Sequence, residues 1–296
     1  MSPLRVAVNR AKQHGTVLFM GVLNTTPDSF SDGGLYLDPP AAKQRVDELL
    51  AAGAEVIDIG GESTRPAAPP IAPAEQIARI RHALVYAAKE RRALVSVDTT
   101  NAEVAAFAVA NGASAINDVS CLADDELAAI AADSGAALIV MHARGSMSDM
   151  RGFSDAPGNA YDDVVSDVMR EWSAARSRAN RRGMDSAEIL FDPGLGYMKN
   201  AAHSIELIAR LDEFAPLDAP VVVGPSRKSF IAKTVSPEAP PGARLGGTIA
   251  ACLACAERGA AILRVHDVFE VKQAVDLSRA ILGTDAVGVR LRRQRA

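Results

Sequence analysis

Aromatic residues are scarce in this 296-residue chain: eight Phe, four Tyr and one Trp make 4%. A core therefore has to be packed from Val, Ile, Leu and Ala, which the 48% hydrophobic share supplies. Cysteine is rarer still. Three of them, an odd number, cannot make a disulfide framework, which excludes the small cross-linked secreted class and points to a reducing cytoplasm. No apolar run reaches the roughly 20 residues of a membrane span. Met1-Ser2-Pro3-Leu4-Arg5 has no apolar signal region behind it. Basic charge is not in surplus either, and a net charge of −4 argues against a nucleic-acid binder. Low-complexity segments, linkers and a Gly-x-Gly-x-x-Gly after the first apolar run are all missing.

What is present is an alternation. Short apolar runs rich in β-formers occupy residues 16–23, 55–60, 93–98, 114–119, 137–142, 188–192, 220–224 and 261–266. Between most of them lie helical patterns, such as Gln76 to Arg91, Val164 to Arg182, Ile205 to Phe214 and Val271 to Leu282. Gly53, Gly112, Gly135, Gly183 and Gly259 stand where helix stops belong. Strands alternating with helices imply parallel pairing and right-handed crossovers. Eight such units predict a single-domain α/β protein, a closed (β/α)8 TIM barrel, over a doubly wound open sheet. The expected division is an irregular lead-in over 1–15, the barrel over 16–285 and a solvated basic tail over 286–296. Cys252-Leu253-Ala254-Cys255 has redox-motif spacing but sits in an Ala-rich helical pattern, so it reads as helix packing. Three connections are long enough to be functional: 24–40, 61–75 and 143–162.

All strand C-termini of such a barrel open onto one face, so polar residues there read as the active site. They are Asn24, Glu62 to Pro66, Asp98, Asn117-Asp118, His142, Asp192, Ser226-Arg227-Lys228 and Arg264-Val265-His266-Asp267. A lone Asp after a strand is often a helix cap, and a lone His is often a core residue. A whole ring of them near a buried mouth is too costly to leave unused. Asp98, Asn117 and Asp192 offer acceptors that suit a flat heterocycle carrying several N–H donors. Asn24, Arg264 and His266 come from the first and last strands, which closure makes neighbours. They suit an anion, with Asn24 able to help hold a hard cation such as Mg²⁺.

Asn24-Thr25-Thr26-Pro27-Asp28-Ser29-Phe30-Ser31-Asp32-Gly33-Gly34, Gly60-Gly61-Glu62-Ser63-Thr64-Arg65-Pro66 and Gly224-Pro225-Ser226-Arg227-Lys228 closely resemble motifs of the dihydropteroate synthase family. So do Ile116-Asn117-Asp118, Asp192-Pro193-Gly194 and Arg264-Val265-His266, in order from about residue 16 to 283. The resemblance implies joining 6-hydroxymethyl-7,8-dihydropterin pyrophosphate to 4-aminobenzoate with release of pyrophosphate and with Mg²⁺ as cofactor, in a cytoplasmic homodimer. It implies that pterin lies on Asp98, Asn117, Asp192 and Lys228. The pyrophosphate would meet Asn24, Arg264 and His266, with Asn24 also near the metal, and Val265 would bind substrate beside them. Phe30, Thr64, Arg65, Pro66 and Ser226 would shape the aminobenzoate site, and Asp32 would face the reacting methylene. One departure stands out: Met198 occupies a position where the family usually has Gly.

Three rivals share parts of this pattern. A pterin-binding methyltransferase barrel would use Asp98, Asn117 and Asp192 without needing the Phe30 loop. An aldolase using Lys228 as a Schiff base would need a desolvated lysine, and flanking by Arg227 on an open loop suggests a solvated one. A non-catalytic relative would bind pterin without needing intact loops.

Overall fold

The computed structural model describes residues 1–26, 38–63, 69–145 and 152–284. Among these residues eight parallel strands run β1 Leu18–Asn24, β2 Val56–Gly60, β3 Leu94–Asp98, β4 Ala115–Asp118, β5 Ala137–Met141, β6 Ile189–Asp192, β7 Val221–Val223 and β8 Ala260–Val265. They pair in chain order and close into a barrel, β8 meeting β1 from Leu18↔Ile262 to Gly21↔Val265. Every strand begins and ends within two residues of the run expected from composition. Among the described residues no helix is long and apolar enough to cross a membrane.

Among the described residues ten α-helices accompany them: α1 Pro3–Gln13, α2 Pro39–Ala51, α3 Pro73–Val85, α4 Ala102–Ala110, α5 Glu126–Ser134, α6 Val164–Arg181, α7 Ala201–Ala209, α8 Ser229–Val235, α9 Leu245–Glu257 and α10 Val268–Thr284. All five glycines read as helix stops have positive φ, between +72° and +102°. The pattern from Ile205 to Phe214 divides, because α7 ends at Ala209 and a 3₁₀ segment containing Pro216 follows over Leu211–Leu217. Cys252 and Cys255 are free and buried within α9, as helix packing requires.

The lead-in over 1–15 is not irregular; most of it is α1. Pro3 pre-sets the first turn and the Ser2 hydroxyl caps it by accepting from Arg5 N at 3.2 Å. Leu4, Val8 and Ala11 fall on one face and pack with Leu18, Met20, Val56, Ile139, Leu190 and Ile262 inside the barrel. α1 therefore stoppers the bottom of the barrel, and each large side chain so buried contributes about 1.5–3 kcal/mol.

Strand side chains alternate between the barrel interior and the helix layer. On the interior parity, apolar residues low in the strand give way to polar ones near its end. Val56 is followed by Asp58, Ala115 by Asn117, Leu190 by Asp192, and Ile262 by Arg264. The opposite parity, including Ile57, Val97, Phe191, Leu263 and Val265, packs against the helices. A greasy floor thus carries a polar upper tier, and the site is built on that tier.

Candidate active site

A cleft opens to solvent at the C-terminal ends of the strands. Asn24, Asp98, Ser226, Lys228, Arg264 and His266 all line it. Strands β1, β3 and β8 and the β7–α8 connection therefore deliver six of the expected residues to one space.

The centre is an ion-pair cluster. Arg264 Nε donates to Asp58 Oδ2 at 2.6 Å, and its Nη2 lies 3.1 Å from Asp98 Oδ2. Asn117 Nδ2 also donates to Asp58, 3.4 and 3.3 Å from its two oxygens. Asp58 is fully buried and did not figure in the expected set. Its signal was available: one carboxylate between Ile57 and Ile59, on the inward parity of a buried strand. Burial raises Asp98 to about 7; Arg264 opposes that rise and the Asp58 charge adds to it. Burial works against the charge of Arg264, yet Asp58 and Asp98 together hold it firmly cationic.

Asn117 and Asp192 lie beneath the cleft rather than on its wall. Asp192 is buried, accepts from Gly194 N at 2.7 Å, and has its acid range raised by burial against the pull of Lys228. Gly194 must be glycine: its φ is +68°, and a Cβ there would lie 2.0 Å from the carbonyl oxygen of His142. Four residues on, Met198 accepts a left-handed φ of +49°, the conformation that a glycine adopts freely.

Lys228 corrects the expectation of a solvated side chain. Its Nζ donates to Leu195 O at 2.8 Å and sits 4.9 Å from the ring centre of Tyr197. Burial lowers it to about 8, against the stabilising pull of Asp192. The residue before it, Arg227, has φ +59° and is clamped by the Asp267 carboxylate, with Nε at 2.9 Å. Asp267, the last of the strand-end residues read from the sequence, thus fixes the turn that aims Lys228.

Ser226 lines the cleft beside His266. Its Oγ accepts from His266 N at 3.2 Å and lies 3.0 Å from His266 Nδ1. Burial, then the neighbouring Arg227 and Arg264, push His266 well below its usual range, so it stands neutral. Val265 does not line the cleft; it is fully buried in the layer between strands and helices. Phe30, Asp32, Thr64, Arg65 and Pro66 lie outside the described residues, as does the tail over 286–296.

The remaining members of the strand-end ring are supports. Glu62, on the cleft wall, accepts from Ile71 N at 3.2 Å and Gln76 Nε2 at 3.0 Å, tying its loop to α3. Asp118 is buried and accepts from Ser120 and Leu122 backbone N–H groups, organising the β4–α5 connection. His142 is buried away from the cleft, between Glu171 on α6 at 3.0 Å and Lys199 Nζ at 2.9 Å.

The chain as a whole is similar to known proteins. A family model described as "Pterin binding enzyme" matches residues 20–266. A Haloferax volcanii protein named "Probable bifunctional folylpolyglutamate synthase/dihydropteroate synthase" is 42% identical over 88% of this chain, which spans 30% of that longer protein. The dihydropteroate synthase of Synechocystis is 39% identical over 88% of this chain and 89% of its own. A crystal structure of Xanthomonas albilineans dihydropteroate synthase with 4-aminobenzoic acid superposes with a TM-score of 0.81. It is 37% identical, covering 90% of this chain and 93% of that one. The chain belongs to the pterin-binding enzyme family and, within it, to the dihydropteroate synthases.

Proposed function

We propose that this protein condenses 6-hydroxymethyl-7,8-dihydropterin pyrophosphate with 4-aminobenzoate to give 7,8-dihydropteroate and pyrophosphate. The observation that carries the reading is the convergence of Asp98, Lys228, Arg264 and His266 on one cleft, above Asp192 and Asn117. Carboxylates withdrawn from water are expensive unless donors reach them. A pterin ring supplies several N–H groups at once, so Asp98, Asn117 and Asp192 select it over a ring lacking them. The amine bound by the Xanthomonas albilineans relative supports 4-aminobenzoate as the second substrate.

An aromatic amine is a weak nucleophile at neutral pH. In this reading the bond from the pterin methylene to the diphosphate oxygen therefore breaks ahead of attack, and both its electrons leave with the diphosphate. Arg264 and His266 receive that growing negative charge. Arg264 is pre-aligned by Asp58 and Asp98, and a guanidinium has further N–H donors for an anion. The amine nitrogen then adds its lone pair to the cationic methylene and loses a proton. Asp32 near the methylene, and Phe30, Thr64, Arg65 and Pro66 around the amine, complete the reading on the family resemblance.

Mg²⁺ belongs to the same proposal. Among the described residues no three His, Cys, Asp or Glu side chains group to hold a metal alone. The ion needs only one or two protein oxygens when substrate phosphates supply others. Asn24 and Thr26 both line the cleft, and Thr26 Oγ1 is buried with no hydrogen-bond partner. That donor set suits it, with Asn24 and Thr26 as holders. When bound, the ion would neutralise charge on the leaving diphosphate. A cytoplasmic homodimer completes the proposal; three free buried thiols suit a reducing compartment.

Pyrophosphate release measured with and without 4-aminobenzoate tests the reading. Release that depends on the amine supports it. Release no faster with the amine than without it, or none with both substrates and Mg²⁺, would overturn it, and a methyltransferase-type or binding-only barrel would take its place.

A further inference from the structure

One wall of the cleft comes from no strand end. Phe153 lies in the β5–α6 connection and lines the same space as Lys228 and Ser229. Its ring meets Tyr197 edge to face, with centres 5.2 Å apart and planes at 80°. The segment carrying it is stitched to two others. Ser154, buried with φ +61°, donates its N–H to Gly196 O at 3.1 Å. Lys233 Nζ donates to Ser154 O at 3.0 Å, and Ser229 Oγ donates to Phe153 O at 3.0 Å and also lies 2.9 Å from Ser154 Oγ. Asp155 pairs with Lys233 and bridges to Asn200. A serine in left-handed backbone is strained, and these bonds are what keep it there. Phe153 is therefore a fixed wall.

Its place in the cleft says which substrate it serves. The acceptors for a heterocycle lie deep, on β3, β4 and β6, and the anion groups lie on β1 and β8. Phe153 belongs to neither set. It stands with Tyr197 and Ser229, at an end that offers ring surface, which suits a benzene ring better than an N–H-rich one.

We propose that Phe153 is a specificity-determining residue for the aromatic amine, its ring packing against the amine's ring, with Ser154 as the positioning residue that holds it. This rests on the synthase reading above. The test is steady-state kinetics with each substrate varied in turn. Phe153→Ala is expected to raise KM for 4-aminobenzoate about tenfold while leaving KM for the pterin diphosphate within about twofold; Phe153→Tyr restores the wild-type value. Should Phe153→Ala fail to fold, Phe153→Leu makes the same comparison, with a rise of about threefold. An unchanged amine KM, or a parallel rise in both KM values, overturns the assignment of Phe153 and leaves the synthase reading standing. No amine-dependent pyrophosphate release from the wild-type protein removes both together.

Discussion

Arg264 Nε sits 2.6 Å from Asp58 Oδ2, joining the last strand of the barrel to the second across its interior. The carboxylate is fully buried, so the pair has little solvent to compete with it. That contact fixes where the guanidinium points before any anion arrives.

Removing the cation should therefore be felt in the rate. Arg264→Ala is expected to lower turnover about 10²–10³-fold, the cost of one pre-aligned donor to a developing oxyanion. Steady-state kcat with both substrates saturating measures it. Unaltered turnover would detach Arg264 from the leaving group.

Removing the anion should be felt in stability. Asp58→Ala leaves the Asn117 amide and one face of Arg264 unsatisfied, although Arg264 keeps Asp98. The expected loss is about 3 kcal/mol, at the low end for breaking a buried pair. Urea denaturation gives the value directly. Asp58→Asn, which can still accept hydrogen bonds, should lose less.

The pH profile follows from two displaced groups. Asp98 has to be ionised to accept from the ring, and burial raises it to about 7, so activity falls as pH drops through about 7. Lys228 is to work as a cation, and burial lowers it to about 8, so activity falls as pH rises through about 8. The kcat/KM for the pterin substrate should be bell-shaped between those values. Lys228→Gln should keep the acid limb and lose the alkaline one.

Acid stability has a separate source. Burial and Lys199 lower His142 to about 4, against its bond to Glu171, from an ordinary 6.5. A depressed base stabilises the fold fully above its unfolded value and ceases to as pH falls through its folded value. Between pH 6.5 and 4 the wild-type protein should lose on the order of 3 kcal/mol more than His142→Gln. Denaturation midpoints of both proteins across that window decide it. Identical slopes would mean that His142 protonates freely.

The barrel was legible because buried parallel strands are uninterrupted Val/Ile/Leu/Ala runs, and each run predicts its strand without help from distant residues. α1 was harder. Leu4, Val8 and Ala11 carry the right spacing behind a Ser-Pro start, but the target of that face is assembled from strands far along the chain. Residue identity was a good guide where a polar group ends a strand, as at Asn24, Asp98 and Arg264. It failed for Asp58, because a mid-strand carboxylate meets its guanidinium partner only once β8 arrives beside β1. Val265 was misplaced by the same alternation that places Arg264: neighbours in a strand face opposite ways. Ser226 and Lys228 show a different limit. Their surroundings come from His266 and Leu195, which no local pattern connects to them.

The seam between β1 and β8 has a temporal consequence. Asn24 leaves the ribosome early, whereas Arg264 and His266 emerge late, so the cleft wall they share is completed late in synthesis. A nascent chain halted before residue 260 carries Asp58 and Asp98 without the guanidinium that pairs with both. Its acidic pocket stays open and ungripped until one final strand slides home.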